Sequence, residues 1–263
     1  FRSTAKSLLR ELGADLSGPE NLIMTPDDVA QAKIEPSDVY ILFMASFSDA
    51  SPAVELLSKV SGPILLWSVR EPGTVGERLK LNSMCGANLA AHALMTAGQS
   101  IRHLHGNPNE AHVRAKLTAV LKREFPSDEA PQHQERELAD RDVATQALSR
   151  LKTMKIGAVG EAPVGFTPCT FDGPKLKELF GLTVDSMSMD EAFSRISKVA
   201  DEKSRGAHEA AVKSQPSLSD VNHEQALKVA GVEVALDQWR DEKTLDAIAI
   251  RCWPEFPTDL GAC

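Results

Sequence analysis

Cysteine is scarce, positive charge is in deficit and no long apolar run occurs, and each shortage excludes a class of protein. The 263 residues hold four cysteines, Cys85, Cys169, Cys252 and Cys263. They lie far apart with no CxxC pair, which argues against a zinc knuckle or a dense disulfide framework and fits a reducing, cytoplasmic compartment. Lys plus Arg total 29 against 37 for Asp plus Glu, a formal charge of -8. Such a surface disfavours phosphate, so no nucleic acid partner is expected. No apolar stretch approaches the roughly 18 to 20 residues that cross a bilayer, so no membrane partner is expected either. What remains is ordinary for a packed soluble chain: 42% hydrophobic and 25% charged residues. At this length those values support a real core and, as a prior, two domains.

From residue 39 the chain alternates in type. Residues 39–45 (VYILFMA) and 63–69 (PILLWSV) are short apolar runs of the kind that form buried strands, and 100–105 supplies a third. Helical segments lie between and after them: one with Ser51 as N-cap and Pro52 at the first helical position, one over 82–97 ended by Gly98, and one over 109–124. Residues 126–137 are rich in Pro, Gln, Asp and Glu, the composition of a connection. After a helix from Arg141, a fresh strand over 155–160 begins a second α/β unit, with Asp172 as the cap of a helix ended by Gly181 and a strand at 182–187. Ser188 or Asp190 then opens a helix, longer helices run from about Ala207 and from His223, and residues 247–253 read as the last strand. The expected fold is α/β, with two doubly wound, mainly parallel, Rossmann-like domains. The first covers 1–127, a linker 128–140, the second 141–250, and 251–263 enters a third, catalytic domain whose remainder is missing. The helix at 3–12 would ordinarily follow a strand, so the first domain is also expected to lack its first strand.

Several groupings carry chemistry on paper. Gly157, Gly160 and Gly165 are spaced GxxGxxxxG with no helix directly after, so they read as a rigid strand-end loop or a turn rather than a dinucleotide fingerprint. His103 and His105 share one face of a strand and would suit either a metal or a half-exposed surface. His92 sits among small residues on a helix, as a satisfied core or interface histidine would. The same helix start, with Asn82, Ser83 and Asn88 among small residues, suits close packing or a clamp on substrate hydroxyls. Residues 252–257 (CWPEFP) place Glu255 in a loop held by two prolines at a strand's carboxyl end, where a carboxylate can bind a cation, move a proton, or simply be exposed.

Residues 63–69, the loop 72–78 and the helix CGANLAAH at 85–92 resemble the first domain of the L-fucose and L-arabinose isomerase superfamily, especially its fucose-isomerase-like members. Residues 156–169, 180–185 and 188–191 resemble its second domain, and CWPE at 252–255 is similar to the motif leading into its catalytic domain. The resemblance implies a divalent-metal aldose–ketose isomerase, usually using manganese, that works through a cis-enediol on a monosaccharide. It implies Glu255 as catalytic residue and metal ligand, with Asn82, Ser83, Asn88 and Trp253 binding substrate. The family's other ligands, an aspartate and a histidine, belong further along the chain than Cys263, so this sequence departs from the pattern and tight Mn²⁺ binding by these residues alone is not expected. Family enzymes are oligomers in which a neighbouring first domain helps close the active site, so a homo-oligomer or larger assembly is expected. Two other classes fit less of the pattern: a non-catalytic, isomerase-like structural subunit, and a two-lobed sugar-binding module that would have no use for Trp253-Pro254-Glu255.

Overall fold

A computed structural model of the chain describes residues 1–74, 79–124 and 141–261. The expected linker at 128–140 lies outside them, as do 75–78 of the loop and Cys263. The chain divides into two compact units, Phe1–His133 with Val164–Cys169, and Gln134–Pro163 with Thr170–Cys263. Each is built on its own three-stranded, all-parallel sheet flanked by helices. No described helix is long and apolar enough to cross a membrane.

The first unit runs α1 (Arg2–Glu11), α2 (Pro26–Gln31), β1 (Tyr40–Met44), α3 (Ser51–Leu57), β2 (Ile64–Ser68), α4 (Ser83–Thr96), β3 (Ile101–His105) and α5 (Ala111–Leu121). Its strand order is β1-β2-β3. The central strand reads as a continuous apolar run because both of its faces are covered, and none of its five residues is more than 1% exposed. Alternation sends Leu65 and Trp67 into one cluster with Leu8, Leu9, Leu104, Val113 and Leu117, and Ile64 and Leu66 into the other with Ala53, Leu57, Ala90 and Leu94. Trp67 keeps its buried indole N–H satisfied by donating to the carbonyl of Gly106 at 2.9 Å. Helix α2 is absent from the sequence expectation, although its signal is local. Thr25 accepts from the Asp28 N–H, Asp28 accepts from the Thr25 N–H, and Pro26 stands in the first turn.

The second unit runs α6 (Arg141–Leu151), β4 (Lys155–Val159), α7 (Gly173–Phe180), β5 (Thr183–Met187), α8 (Met189–Ser197), α9 (Asp201–Ser214), α10 (His223–Lys243) and β6 (Ala247–Ile250). Asp172 caps α7, Gly181 ends it in the left-handed conformation, and Ser188 caps α8. Helix α9 starts six residues earlier than its expected start near Ala207, and Asp201 and Glu202 in its first turn suit the positive end of a helix. Strand order is β5-β4-β6. One face of the sheet packs on α8 and α10 through Val159, Met187, Ala192, Trp239 and Leu245. Gly157 makes that approach possible, because a Cβ there would lie 2.5 Å from the Trp239 ring and 2.6 Å from Leu245.

Candidate active site

In the second unit the chain passes from β4 to β5 on one side and returns to β6 on the other. Ligands of open α/β sheets bind outside the carboxyl ends of the strands at such a reversal, so the crevice beyond β4 and β6 is where this unit would hold one. Backbone bonds build its rim. Gly160 N–H donates to Met187 O at 2.8 Å, and Arg251 N–H donates to Val159 O at 2.9 Å, carrying strand pairing one residue past β6. Beyond Arg251 the chain turns: Trp253-Pro254 is cis, Phe256 N–H donates to Cys252 O at 3.2 Å, and Phe256–Leu260 forms a short π-helical turn. This is why the strand is shorter than the expected 247–253.

Of the expected site residues, Trp253 and Glu255 lie in the loop that follows β6, at this end of the sheet. Arg251 Nε donates to Glu255 Oε2 at 3.1 Å and its Nη2 donates to Oε1, a forked ion pair. The third guanidinium nitrogen lies 3.5 Å from the carbonyl of Glu161, the second residue past β4. Both side chains are three-quarters covered, at 24% and 23% exposed. Trp253, between them, is 53% exposed, whereas Phe256 is buried and packs on Phe193 with ring centroids 5.4 Å apart. Arg251 was not among the residues singled out from sequence. Its signal is the i, i+4 spacing to Glu255 across a turn.

The donor set as it stands does not fit manganese. Glu255 presents both oxygens to Arg251, a cation there would sit beside a guanidinium, and no group of three or more His, Cys, Asp or Glu able to hold a metal ion occurs among the described residues.

Asn82, Ser83 and Asn88 lie in the first unit. Asn82 occupies the N-cap position of α4 with no side-chain capping bond, in the left-handed conformation at φ 50°, which asparagine tolerates better than most residues. The Glu71 carboxylate accepts its N–H at 2.8 Å, that of Leu81 at 2.9 Å, and that of Lys80. Desolvation pushes Glu71 up, but these donors outweigh it and hold the carboxyl below its usual range. The hydroxyl of Ser83 is committed inside the fold: it accepts from Val69 N–H at 3.0 Å and donates to Met44 O, with Ser83 2% exposed. Asn88 faces outward. The small residues of α4 have a packing reason, since a Cβ on Gly86 would lie 2.9 Å from the backbone nitrogen of Ser48. His92 is exposed, with Nδ1 2.8 Å from the Thr167 hydroxyl.

A polar cluster that sequence reasoning saw only in part closes the carboxyl end of the first sheet. Register sets Ser68 opposite His105, and the fully buried Ser68 hydroxyl lies 2.9 Å from His103 Nε2 and 2.9 Å from His105 Nδ1. The Ser68 hydroxyl also lies 3.9 Å from the Met84 sulfur, and its single proton serves only one of these neighbours, so at least one of the two histidine rings must donate to the oxygen. Burial pushes His103 down, helped by His105 and Lys116, and burial likewise pushes His105 down, helped by Arg70 and His112 against Glu110. At its edge the Arg70 Nε–H, shared between both carboxylate oxygens, and the Asn107 N–H hold Glu110 down to about 2.

No protein-family profile matches the chain. Individual proteins do. It is 30% identical over 249 residues to a sulfoquinovose isomerase of Alkalicoccus urumqiensis, which covers 93% of this chain and 51% of that protein. It is 29% identical over 266 residues, 100% of this chain and 54% of the relative, to a sulfoquinovose isomerase of Priestia aryabhattai. It is 25% identical over 256 residues, 97% of this chain and 53% of the relative, to one from a Clostridium species. The chain thus spans about half the length of the curated relatives it matches.

Proposed function

We propose that this chain is part of an aldose–ketose isomerase, related to the fucose-isomerase-like proteins, whose substrate is sulfoquinovose, a glucose bearing a sulfonate at C6. The observation that carries the reading is similarity along 93% or more of the chain to proteins of that name. The switch-point crevice of the second unit supports it as a place for the sugar, with the exposed Trp253 ring as a flat apolar surface for the C–H face of a pyranose. The reaction we propose runs through a cis-enediol. The C2 proton leaves, the C1 carbonyl oxygen gains a proton, then O2 loses its proton as C1 takes one up, so the net change is a carbonyl moved from C1 to C2. Manganese or another divalent cation is the cofactor we propose for the full-length protein, with ligands beyond those described. In a homo-oligomer, Asn82 and Asn88 would face a neighbour's sugar.

The test is conversion of sulfoquinovose to its ketose by the full-length protein with added Mn²⁺, followed by NMR, with glucose as the unsulfonated control. The expected result is conversion of the sulfonated sugar well ahead of glucose, with Trp253→Ala raising KM. Absence of conversion under these conditions removes the isomerase reading and favours a non-catalytic structural subunit.

A further inference from the structure

We propose that Arg251 is a positioning residue: its guanidinium clasps Glu255 and the end of β4, fixes the Trp253 loop between two anchors, and takes Glu255 out of the pool of metal ligands. The clasp goes beyond the isomerase reading, and only the sugar arm of its test rests on that reading.

Four observations converge. Arg251 is tied to the sheet through its own N–H on Val159 O at 2.9 Å, so its backbone is as fixed as a strand residue. Its side chain then bonds forward to both oxygens of Glu255 and lies 3.5 Å from Glu161 O, joining the loops after β6 and β4. Immediately after Glu255, Phe256 is 5% exposed and packs with Ile196 and Ala235, so the loop is pinned at its far end as well. Between the two pins stands Trp253 at 53% exposure, while Trp67 and Trp239 are at 0% and 2%. A large aromatic left this open on an otherwise fixed loop is a surface waiting for a flat apolar partner.

The same geometry argues against Glu255 as a manganese ligand. Binding a cation would require giving up a forked, charge-assisted contact that is three-quarters covered, and would bring the ion beside the guanidinium. The carboxylate's chemistry here is therefore that of a hydrogen-bond acceptor for Arg251.

Acrylamide quenching of tryptophan fluorescence tests this directly, because Trp253 is the exposed indole. In the full chain, Arg251→Gln and Glu255→Gln should each raise the quenching constant, up to about twofold as the ring moves from half to full exposure. Arg251→Glu combined with Glu255→Arg should return it towards wild type, and Arg251→Lys, which keeps charge but not the fork, should fall between. In the full-length protein, Arg251→Gln should raise the KM for sulfoquinovose while kcat stays within a few-fold, because the residue acts through the sugar-facing loop. Quenching unchanged in both single variants, or a charge swap that stays at their level, overturns the clasp. So does Mn²⁺ that alters wild-type quenching but not that of Glu255→Gln, since Glu255 would then be a ligand. If wild type shows no turnover, the isomerase reading falls while the fluorescence arm still decides the clasp.

Discussion

Replacing Ser83 with alanine separates a substrate-binding role from a structural one. The hydroxyl accepts from the Val69 N–H at 3.0 Å and donates to Met44 O, and Ser83 and Val69 are 2% and 1% exposed. Alanine leaves the Val69 N–H buried with no acceptor, a loss of roughly 1–3 kcal/mol. The Met44 carbonyl also loses a donor, which adds to the cost, so about 2 kcal/mol is a fair central expectation. With a urea slope of about 1–3 kcal/mol per molar, the midpoint for the first unit should fall by about 1 M. Because the chain has two compact units, a single global transition is not guaranteed, and unfolding should be followed by hydrogen exchange at the β2 amides as well as by circular dichroism. Asn88→Ala, on the exposed side of the same helix, is the control and should stay within about 0.5 kcal/mol. On the isomerase function proposed above, the KM for sulfoquinovose should be little changed by Ser83→Ala in whatever fraction is folded. An unchanged midpoint together with a KM raised tenfold or more would refute the reasoning and return Ser83 to the sugar.

Gly157→Ala should destabilise the second unit by about 1–3 kcal/mol, since its Cβ would overlap the Trp239 ring, and a urea midpoint equal to wild type would contradict the packing of α10 on β4. Both His103 and His105 have pKa values depressed by burial, so below about pH 6.5 the unfolded chain binds protons that the folded chain resists. Their contribution to stability is full above that pH and is lost as pH falls towards the folded values. The urea midpoint of the first unit should drop between about pH 7 and pH 5, less steeply in His103→Asn, and a flat profile would count against the Ser68 cluster. Asp172→Ala should remove the cap that accepts the Lys175 N–H at 2.9 Å, costing α7 about 1 kcal/mol, whereas Asp172→Asn should be nearly neutral; hydrogen exchange at Lys175 reads the difference.

The α/β class, the places of the six described strands and the helix ends at Asp172 and Gly181 were legible in the sequence, because each depends on neighbours within one turn or one strand. Ser188 was one of two candidates for the start of α8, and Ser51, expected as the cap of α3, is instead its first helical residue, with Ala50 at the cap position. An unbroken apolar run, as at Ile64–Trp67, says that both faces of a strand are covered whatever covers them. The capping box at Thr25 and Asp28 was equally local, though the short helix it opens went unforeseen. Side-chain chemistry was less legible, because partners are set by register and by loops that return from far away. His103 and His105 are plain in the sequence, but Ser68 joins them from 35 and 37 residues upstream only because β2 and β3 pair in one register. Ser83 carries a hydroxyl that composition would offer to a sugar, and tertiary packing spends it on Val69 and Met44 instead. Glu255 is a carboxylate at a strand end by sequence; that both its oxygens meet Arg251, and that Trp253 stands open between them, is decided by the turn that follows β6 and by the buried Phe256 that pins it. Local steric preference writes the elements, and the free energy of burying them together chooses which polar groups are left for chemistry.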